Sequence, residues 1–253
     1  MEVYSDFASV YDTFMDETPY AQWCDFLIGL LKEFQTEEGI ILDLGCGTGT
    51  LTQMMAQKGF EMIGVDSSQE MLNIAMNKMM DRDLEILYLW QDMRKFELYG
   101  TVAAVISICD SINYLLEKEE IEETFRLVNN YLDPGGVFIF DFNTDYKYRE
   151  VIGETVIAEN RDDCSFIWEN FYDAEEKINE YDLTIFVALE NDYYRKFTET
   201  HFQRGYSLEE MKEILEKSGL EFVRALDAET KEEVHEKSER IYVVAKERGK
   251  VKK

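Results

Sequence analysis

A loop with a glycine at every second position separates an apolar run from a helix-like run in the first quarter of the chain. The sequence ILDLGCGTGT at residues 41–50 places Gly45, Gly47 and Gly49 in this loop. Glycines at a strand-to-helix turn remove side chains there, so a ligand can lie directly against the backbone. The spacing therefore predicts a binding loop at the end of a strand.

Apolar runs and helical patterns alternate as far as residue 142. We expect strands in residues 39–45, 61–66, 85–90, 102–109 and 135–142, and helices in residues 20–34, from about 50, in 68–80 and in 119–132. Continuous apolar strands with helices between them are typical of a parallel sheet that is covered on both faces. The sequence therefore predicts an α/β fold around a mostly parallel sheet.

The pattern changes after residue 142. Segments between residues 155 and 204 alternate apolar and polar residues, with short polar breaks between them, as in antiparallel hairpins. We expect a small antiparallel β cap at 151–204, inserted after the fifth strand, with the core at 1–150 and 205–253. In the next helix Ser207 and Glu210 predict a capping box, and Gly219 suits the C-terminal cap. Two closing strands follow near 221–227 and 240–247.

The chain is strongly acidic. It has 26 basic and 53 acidic residues and a formal net charge of -27. This charge disfavours nucleic acid and anionic membranes as partners, because clusters of lysine and arginine are what hold such surfaces. The four cysteines stand far apart, without the spacing of a zinc site or a disulfide framework. We therefore expect a cytoplasmic protein with reduced thiols and no metal, either a monomer or a dimer.

Acidic residues stand at the ends of the predicted strands. Asp66 ends the second strand, Asp92 follows the third, and ICDSINYL at residues 108–115 follows the fourth. Ligands of open parallel sheets gather outside these carboxyl ends. Such a site holds either a dinucleotide or a nucleoside with an amino-acid tail, and the GxGxG spacing here differs from the GxGxxG that dinucleotide sites prefer.

At these residues the chain resembles the class I S-adenosylmethionine (SAM) dependent methyltransferases. LDLGCGTG is similar to their first motif, GVDSSQEML to their acidic second-strand segment, QDM to their adenine-contacting segment, and LDPGGVFIFDF to the turn into their fifth strand. Four motifs in this order make the resemblance specific over roughly residues 39–141. It implies a Rossmann-like, seven-stranded, mostly parallel sheet with helices on both faces, SAM as the cofactor and S-adenosylhomocysteine as its product.

The resemblance also implies roles for individual residues. The glycine loop, ordered by Asp43, would approach the methionine part of SAM. Asp66 would hold the ribose hydroxyls, and the backbone near Cys109 would lie close to the sulfonium. Met93 would pack on adenine, and Asp92 would accept from its exocyclic amine. The full set of implied cofactor-binding residues is Asp43, Gly45, Cys46, Gly47, Gly49, Asp66, Ser67, Met71, Asp92, Met93 and Cys109.

Simpler structural roles remain open for several of these residues. Asp66 suits a helix N-cap, because two serines and a helix follow it. Asp92 suits a solvated strand end, and Cys46 suits a tight loop as a small side chain. The methionines whose helical spacing suits core packing are Met71, Met76, Met79 and Met80.

The predicted cap resembles that of small-molecule N-methyltransferases, such as those acting on amino sugars or glycine. DMRKF, SINYL and THFQRGYSLEEM resemble the amino-sugar enzymes in particular. The first 35 residues resemble their N-terminal lid helices. Tyr4, Phe7, Tyr11 and Phe14 recur there every three or four residues, a spacing that one face of a core helix also requires. The candidate substrate-binding residues are Asp110, Asn113, Tyr114 and Arg204.

Methyl transfer from a sulfonium is an in-line displacement, so positioning contributes much of the acceleration. A base is needed only when the acceptor arrives protonated. The candidate catalytic residues are His201 and Tyr11. His201 has the right side chain for a base near neutral pH, with a structural histidine as the alternative.

We therefore expect SAM-dependent methyl transfer to a small molecule, with nitrogen as the favoured acceptor atom. The alternatives that the sequence leaves open are a protein acceptor and a SAM-binding module without catalysis. A nicotinamide-dependent oxidoreductase is a further alternative, which the GxGxG spacing disfavours.

Overall fold

A computed structural model describes residues 7–190 and 193–250 of the chain. The helices are α1 (Ala8–Phe14), α2 (Tyr20–Glu33), α3 (Thr50–Gln57), α4 (Gln69–Asp81), α5 (Lys118–Tyr131) and α6 (Leu208–Lys217). The strands of the first sheet are β1 (Ile40–Leu44), β2 (Glu61–Asp66), β3 (Ile86–Trp90), β4 (Val102–Ser107), β5 (Leu132–Asn143), β10 (Leu220–Asp227) and β11 (Arg240–Glu247). Those of the second are β6 (Val156–Asn160), β7 (Cys164–Asp173), β8 (Ile178–Ala188) and β9 (Tyr194–Arg204).

The first sheet confirms the predicted Rossmann-like architecture. Its seven strands have the order β10-β11-β5-β4-β1-β2-β3. The five strands from β5 to β3 are parallel, whereas β11 is antiparallel to both β5 and β10. Helices lie on both faces of the sheet, as the continuous apolar strands indicated.

The strand order reverses direction between β1 and β4. The chain runs outward from β1 to β3 on one side, and from β4 to β5 on the other. At such a point the loops after the two central strands diverge and leave a crevice at their carboxyl ends. The glycine loop follows β1, and the segment around Cys109 follows β4, so both of these predicted site segments border the crevice.

Alternate residues of the central strands point to opposite faces of the sheet, and each face carries its own hydrophobic core. On one face Leu42 and Phe140 pack with Phe125 of α5. The Phe125 and Phe140 rings lie 4.9 Å apart between centroids. On the other face Ile41 and Ile139 pack with side chains of α2 and α3. Both cores lie below the crevice and keep its walls fixed.

The second sheet is the predicted antiparallel cap. Its strands pair in the order β6-β7-β8-β9, and the insertion joins the core between β5 and α6. The inner face of the cap contacts α1, where Phe14 meets Phe166 edge-on with ring centroids 4.8 Å apart. Helix α1 therefore lies between the cap and the core. Of the aromatic residues in the predicted lid, Tyr4 lies outside the described residues.

Some local predictions need correction. A 3₁₀ helix at Ser111–Tyr114 and a π-helix at Lys147–Ile152 follow β4 and β5, where no helix was predicted. Strand β5 begins at Leu132, earlier than the predicted 135. Met80 was predicted in the core but is 65% exposed, because it lies in the last turn of α4 on the side that points away from the sheet. Within the described residues no helix is long and apolar enough to span a membrane.

The predicted capping box at the start of α6 is present. Ser207 Oγ accepts from the Glu210 N–H at 3.2 Å, and the Glu210 carboxylate accepts from the Ser207 N–H at 2.9 Å. Ser207→Ala should lower the free energy of unfolding by about 1 kcal/mol, since it removes an acceptor from a helix end. Ser207→Thr keeps the hydroxyl and is the matched control. Urea unfolding of the three proteins measures the difference, and equal stability of the alanine and threonine variants would contradict the assignment.

Candidate active site

A cavity of about 400 Å³ lies at the carboxyl ends of β1, β2 and β4. All of the predicted cofactor-binding residues line it except Gly49. Tyr11 and Tyr114, two of the predicted catalytic and substrate-binding residues, line it as well. The crevice between β1 and β4 therefore brings together residues that are far apart in the sequence.

The glycine loop needs its glycines for different reasons. Gly45 has φ +83°, and a Cβ there would lie 2.6 Å from Ser111 Oγ. Gly49 has φ +71°, and its Cβ would meet Tyr88 Oη at 2.4 Å, so this glycine allows packing below the cavity instead of bordering it. Gly47 has φ +54° and open space beside its Cα. Gly47 is thus the position where a ligand can approach the loop backbone.

Asp66 connects the glycine loop to the end of β2. Its Oδ2 accepts from the Gly47 N–H at 2.7 Å, and its Oδ1 accepts from the Ser68 N–H at 2.8 Å. Burial raises the pKa of the Asp66 carboxyl, and these N–H donors oppose the rise because they stabilise the anion. The N-cap of α4 is Ser68, whose Oγ accepts from the Met71 N–H at 3.2 Å. The alternative role of Asp66 as the N-cap is therefore wrong.

Asp43 lies beneath the loop and is almost completely buried. Its Oδ2 accepts from Thr52 Oγ1 at 2.6 Å, which fastens the first turn of α3 to the end of β1. Burial raises the pKa of Asp43 to about 7, against the lowering effect of the Thr52 hydrogen bond. This geometry fits the predicted role of Asp43 in ordering the loop.

Asp92 is paired in a way that the sequence did not indicate. Its carboxylate accepts from Arg94 Nε at 3.0 Å and from the Arg94 terminal nitrogen at 2.6 Å, and Arg94 also pairs with Glu120 at 2.5 Å. The hydrogen bonds from Arg94 lower the pKa of Asp92. Arg94 itself lines the cavity. The sequence signal that could have revealed this pair is the position of Arg94 two residues after Asp92 in QDMR.

Helix α1 closes one side of the cavity. Asp12 accepts from Thr48 Oγ1 at 2.6 Å and from Lys78 Nζ at 2.7 Å. Lys78 also donates to Thr50 Oγ1 at 2.8 Å. These contacts join α1 to the glycine loop and to α4, and they bring Tyr11 to the cavity wall. Sequence patterns did not reveal Asp12 or Lys78, because their partners are distant along the chain.

The wall opposite the glycine loop begins with a strained turn after β4. Cys109 and Asp110 have φ values of +71° and +53°, which are unusual for residues other than glycine. Their N–H groups donate to the buried carboxylate of Asp141 at 3.2 and 2.7 Å. Arg240 pairs with Asp110 and lies 3.6 Å from Asp141. The turn places the backbone at Cys109 on the cavity surface.

Three predicted substrate-binding residues lie outside the cavity lining. Asn113 is fully buried, and its side-chain amide donates to the carbonyls of Asn143 and Arg204 and accepts from the Asn143 N–H, so both of its N–H donors are used inside the fold. Arg204 donates to the Leu116 carbonyl at 2.8 Å. Asp110 accepts from Gln203 at 2.7 Å and pairs with Arg240. These side chains join the cap to the core, and they lie behind the cavity lining instead of on its surface.

His201 does not line the cavity either, but it is within hydrogen-bond distance of Tyr114, which does. The ring is 1% exposed, and its Nδ1 lies 3.1 Å from Tyr114 Oη. Tyr114 therefore separates the histidine from the cavity.

The raised pKa of Asp43 has a consequence for stability. Its folded pKa of about 7 lies above the ordinary value of 3.8, so the folded chain keeps a proton that the unfolded chain releases. The stability contributed by this proton is full below about pH 4 and is lost as the pH rises towards 7. Asp43→Asn cannot titrate and keeps an oxygen for Thr52. The variant should therefore gain about 1.4 kcal/mol per pH unit relative to wild type across this window.

Urea unfolding of both proteins between pH 4 and 9 tests this expectation. The difference in the free energy of unfolding should become constant above about pH 7, where Asp43 has lost its proton in both states. A difference that does not change with pH would show that Asp43 is ionised throughout.

Comparison with known proteins identifies the family. Residues 41–136 match a protein-family model described as a methyltransferase domain. The chain is 38% identical over 244 residues to YqeM of Bacillus subtilis (strain 168), named as a candidate methyltransferase, with 96% of each chain covered. It is 30% identical over 138 residues, 54% of this chain and 56% of the relative, to the dTDP-3-amino-3,4,6-trideoxy-alpha-D-glucopyranose N,N-dimethyltransferase of Streptomyces venezuelae.

A solved structure gives the same result over the whole fold. The S-adenosylmethionine-dependent methyltransferase from Clostridium acetobutylicum ATCC 824 superimposes with a TM-score of 0.88 at 31% identity, with 97% of this chain and 99% of that chain covered. Together with the glycine loop and the acidic strand ends, these relationships show that the chain belongs to the SAM-dependent methyltransferases, enzymes that use SAM as the methyl donor.

Proposed function

We propose that this methyltransferase transfers the methyl group of SAM to a nitrogen atom of a small molecule. The observation that carries the proposal is the closure of the cavity by α1. That helix is held to the core through Asp12 and to the cap through Phe14. With α1 along one side, an acceptor must reach the cofactor inside the cavity, which favours a small molecule over a folded protein.

The cavity fits SAM by its own chemistry. Gly47 offers open space beside the loop backbone, and the Asp66 carboxylate keeps acceptor capacity beyond its two N–H donors. We assign the methionine part to the glycine loop, the ribose to Asp66, and the base to the region of Asp92 and Met93. SAM bound there supplies a methyl group that its sulfonium activates for in-line transfer. The residues of this chain orient it and exclude water.

The surroundings of Cys109 favour a nitrogen acceptor. Four aromatic side chains, those of Tyr11, Tyr20, Trp23 and Tyr114, line the same cavity as Cys109. The Tyr20 and Trp23 rings meet edge-on with centroids 5.4 Å apart. Aromatic faces attract cations, and an alkylamine is a cation at neutral pH. The acidic charge of the chain adds a long-range attraction for such an acceptor.

The relative from Streptomyces venezuelae supports the same acceptor atom. Its name describes dimethylation at the nitrogen of an amino sugar. Since it matches only 54% of this chain, it supports the class of acceptor and not its identity. A protein acceptor and a SAM-binding module without catalysis are the alternatives that an experiment must separate.

A paired-acceptor assay tests the proposal. The purified chain is incubated with methyl-labelled SAM and either glycine, ethanolamine or glucosamine, and in parallel with the hydroxyl counterparts glycolate, ethylene glycol or glucose. We expect label on at least one amine and on none of the counterparts. Label on hydroxyl compounds would contradict the nitrogen acceptor. Label confined to an added lysine-rich protein, or no transfer to any amine, would contradict the proposal that the acceptor is a small-molecule amine.

Binding of the product tests the assigned role of Asp66. Asp66→Asn should weaken S-adenosylhomocysteine binding about 10- to 100-fold, because an amide is a poorer partner for ribose hydroxyls and for the N–H of Gly47. Glu85→Gln removes an exposed carboxylate before β3, away from the cavity, and is the matched control. Isothermal titration of the three proteins gives the dissociation constants. An unchanged constant for Asp66→Asn would show that Asp66 does not hold the ribose.

A further inference from the structure

We propose that Tyr114, His201 and Glu199 form a proton relay, in which a proton leaves the acceptor through Tyr114 and is held on His201 beside Glu199. The relay rests on the proposed transfer to an amine nitrogen. It gives Tyr114 the role of the catalytic residue at the cavity wall. His201 and Glu199 are positioning residues that act through it.

The first link of the relay is the contact between Tyr114 and His201. Tyr114 lines the cavity, and its Oη lies 3.1 Å from His201 Nδ1. The His201 ring stacks on the Tyr181 ring, with centroids 4.9 Å apart and planes at 5°. Tyr181 Oη lies 2.6 Å from Tyr114 Oη. The two tyrosines therefore fix both the plane of the imidazole and the direction of its Nδ1.

The second link runs from the other side of the imidazole. His201 Nε2 lies 3.4 Å from Glu199 Oε2, and both side chains are buried. A buried carboxylate beside the second ring nitrogen favours the tautomer with its proton on Nε2, and it stabilises an imidazolium when one forms. Nδ1 then presents a lone pair to the Tyr114 hydroxyl, so the hydroxyl donates to the histidine.

This arrangement can transfer one proton from the acceptor while Tyr114 stays neutral. An acceptor that arrives as an ammonium ion must lose a proton before its nitrogen has a lone pair for the methyl group. That proton passes to Tyr114 Oη as the Tyr114 hydroxyl proton passes to His201 Nδ1. The result is a neutral amine at the cavity wall and an imidazolium held by Glu199. Among the described residues, the titratable groups beside His201 include the carboxylate of Glu199 in β9 and the neutral phenols of Tyr114 and Tyr181.

Glu199 also connects the relay to helix α1. Its Oε1 accepts from the Phe7 N–H at 2.9 Å, at the residue that precedes the first turn of α1. The same carboxylate thus contacts His201 through one oxygen and holds the N-terminal end of α1 through the other. Docking of α1 fixes the Glu199 side chain, so the relay is complete only when the cavity is closed.

An NMR measurement tests the relay without any acceptor. The chain has two histidines, and His235→Gln leaves His201 as the one imidazole in the spectrum. In ¹⁵N-labelled protein with S-adenosylhomocysteine we expect His201 as the Nε2–H tautomer, with an Nδ1 resonance that shifts in Tyr114→Phe. An Nδ1–H tautomer, or an imidazole signal unchanged by Tyr114→Phe, would overturn the relay.

A kinetic measurement tests its use in catalysis. The acceptor is whichever of glycine, ethanolamine and glucosamine is methylated. We expect kcat to fall about 100-fold, with KM within twofold of wild type, in each of Tyr114→Phe, His201→Gln and Glu199→Gln. A loss of this size corresponds to the loss of assistance from a general base. His235→Gln should leave kcat unchanged, since this histidine does not line the cavity. If Glu199→Asp keeps part of the activity that Glu199→Gln loses, a carboxylate is what orients His201.

The outcomes separate the relay from the proposed function. If none of the three amines is methylated, the function fails, and the NMR result still decides whether Tyr114 is hydrogen-bonded to His201 in the expected tautomer. If an amine is methylated but Tyr114→Phe and His201→Gln keep wild-type kcat, the relay is wrong and the function stands. Titration with S-adenosylhomocysteine confirms that each variant still folds and binds. Tyr114→Phe conserves the ring and remains decisive if a buried substitution at His201 or Glu199 does not fold.

Discussion

The site depends on one partly buried carboxylate, that of Asp66, which accepts hydrogen bonds from the N–H groups of Gly47 and Ser68. A carboxylate in this position costs free energy by desolvation, and the two backbone donors offset that cost. In return it fixes the glycine loop relative to the start of α4. The backbone at Gly47 and the carboxylate therefore face the same cavity at a constant separation, which suits a ligand with an amino-acid tail and a ribose.

The closure of the cavity follows from the position of α1 between two other parts of the chain. Its Asp12 is bound to Lys78 and Thr48 of the core, while the Phe7 N–H is bound to Glu199 of the cap. A helix of seven residues is too short to be stable alone, so these contacts determine whether it stays in place. The proposed relay uses one of them, which would couple proton transfer to closure of the site.

Much of the fold could be predicted because its signals are local. Strand alternation and helical periodicity gave the sheet and the cap, and the capping box at Ser207 needs only four residues. The cavity lining was also predictable, since motifs mark the carboxyl ends of strands. The roles of Asn113 and Arg204 were not, because their partners lie up to 91 residues away and only the folded chain brings them together. The Arg94 partner of Asp92 and the exposure of Met80 likewise depend on which way a side chain leaves its helix or loop.

A crystal structure of the chain with bound S-adenosylhomocysteine tests the central claim most directly. We expect the ribose hydroxyls at Asp66, the amino-acid tail along the backbone at Gly47, and the sulfur opposite the turn at Cys109, on the side of the cavity that Tyr114 lines. A ribose held away from Asp66, or a sulfur that faces away from Tyr114, would contradict the assignment of the cofactor site and with it the place of the acceptor.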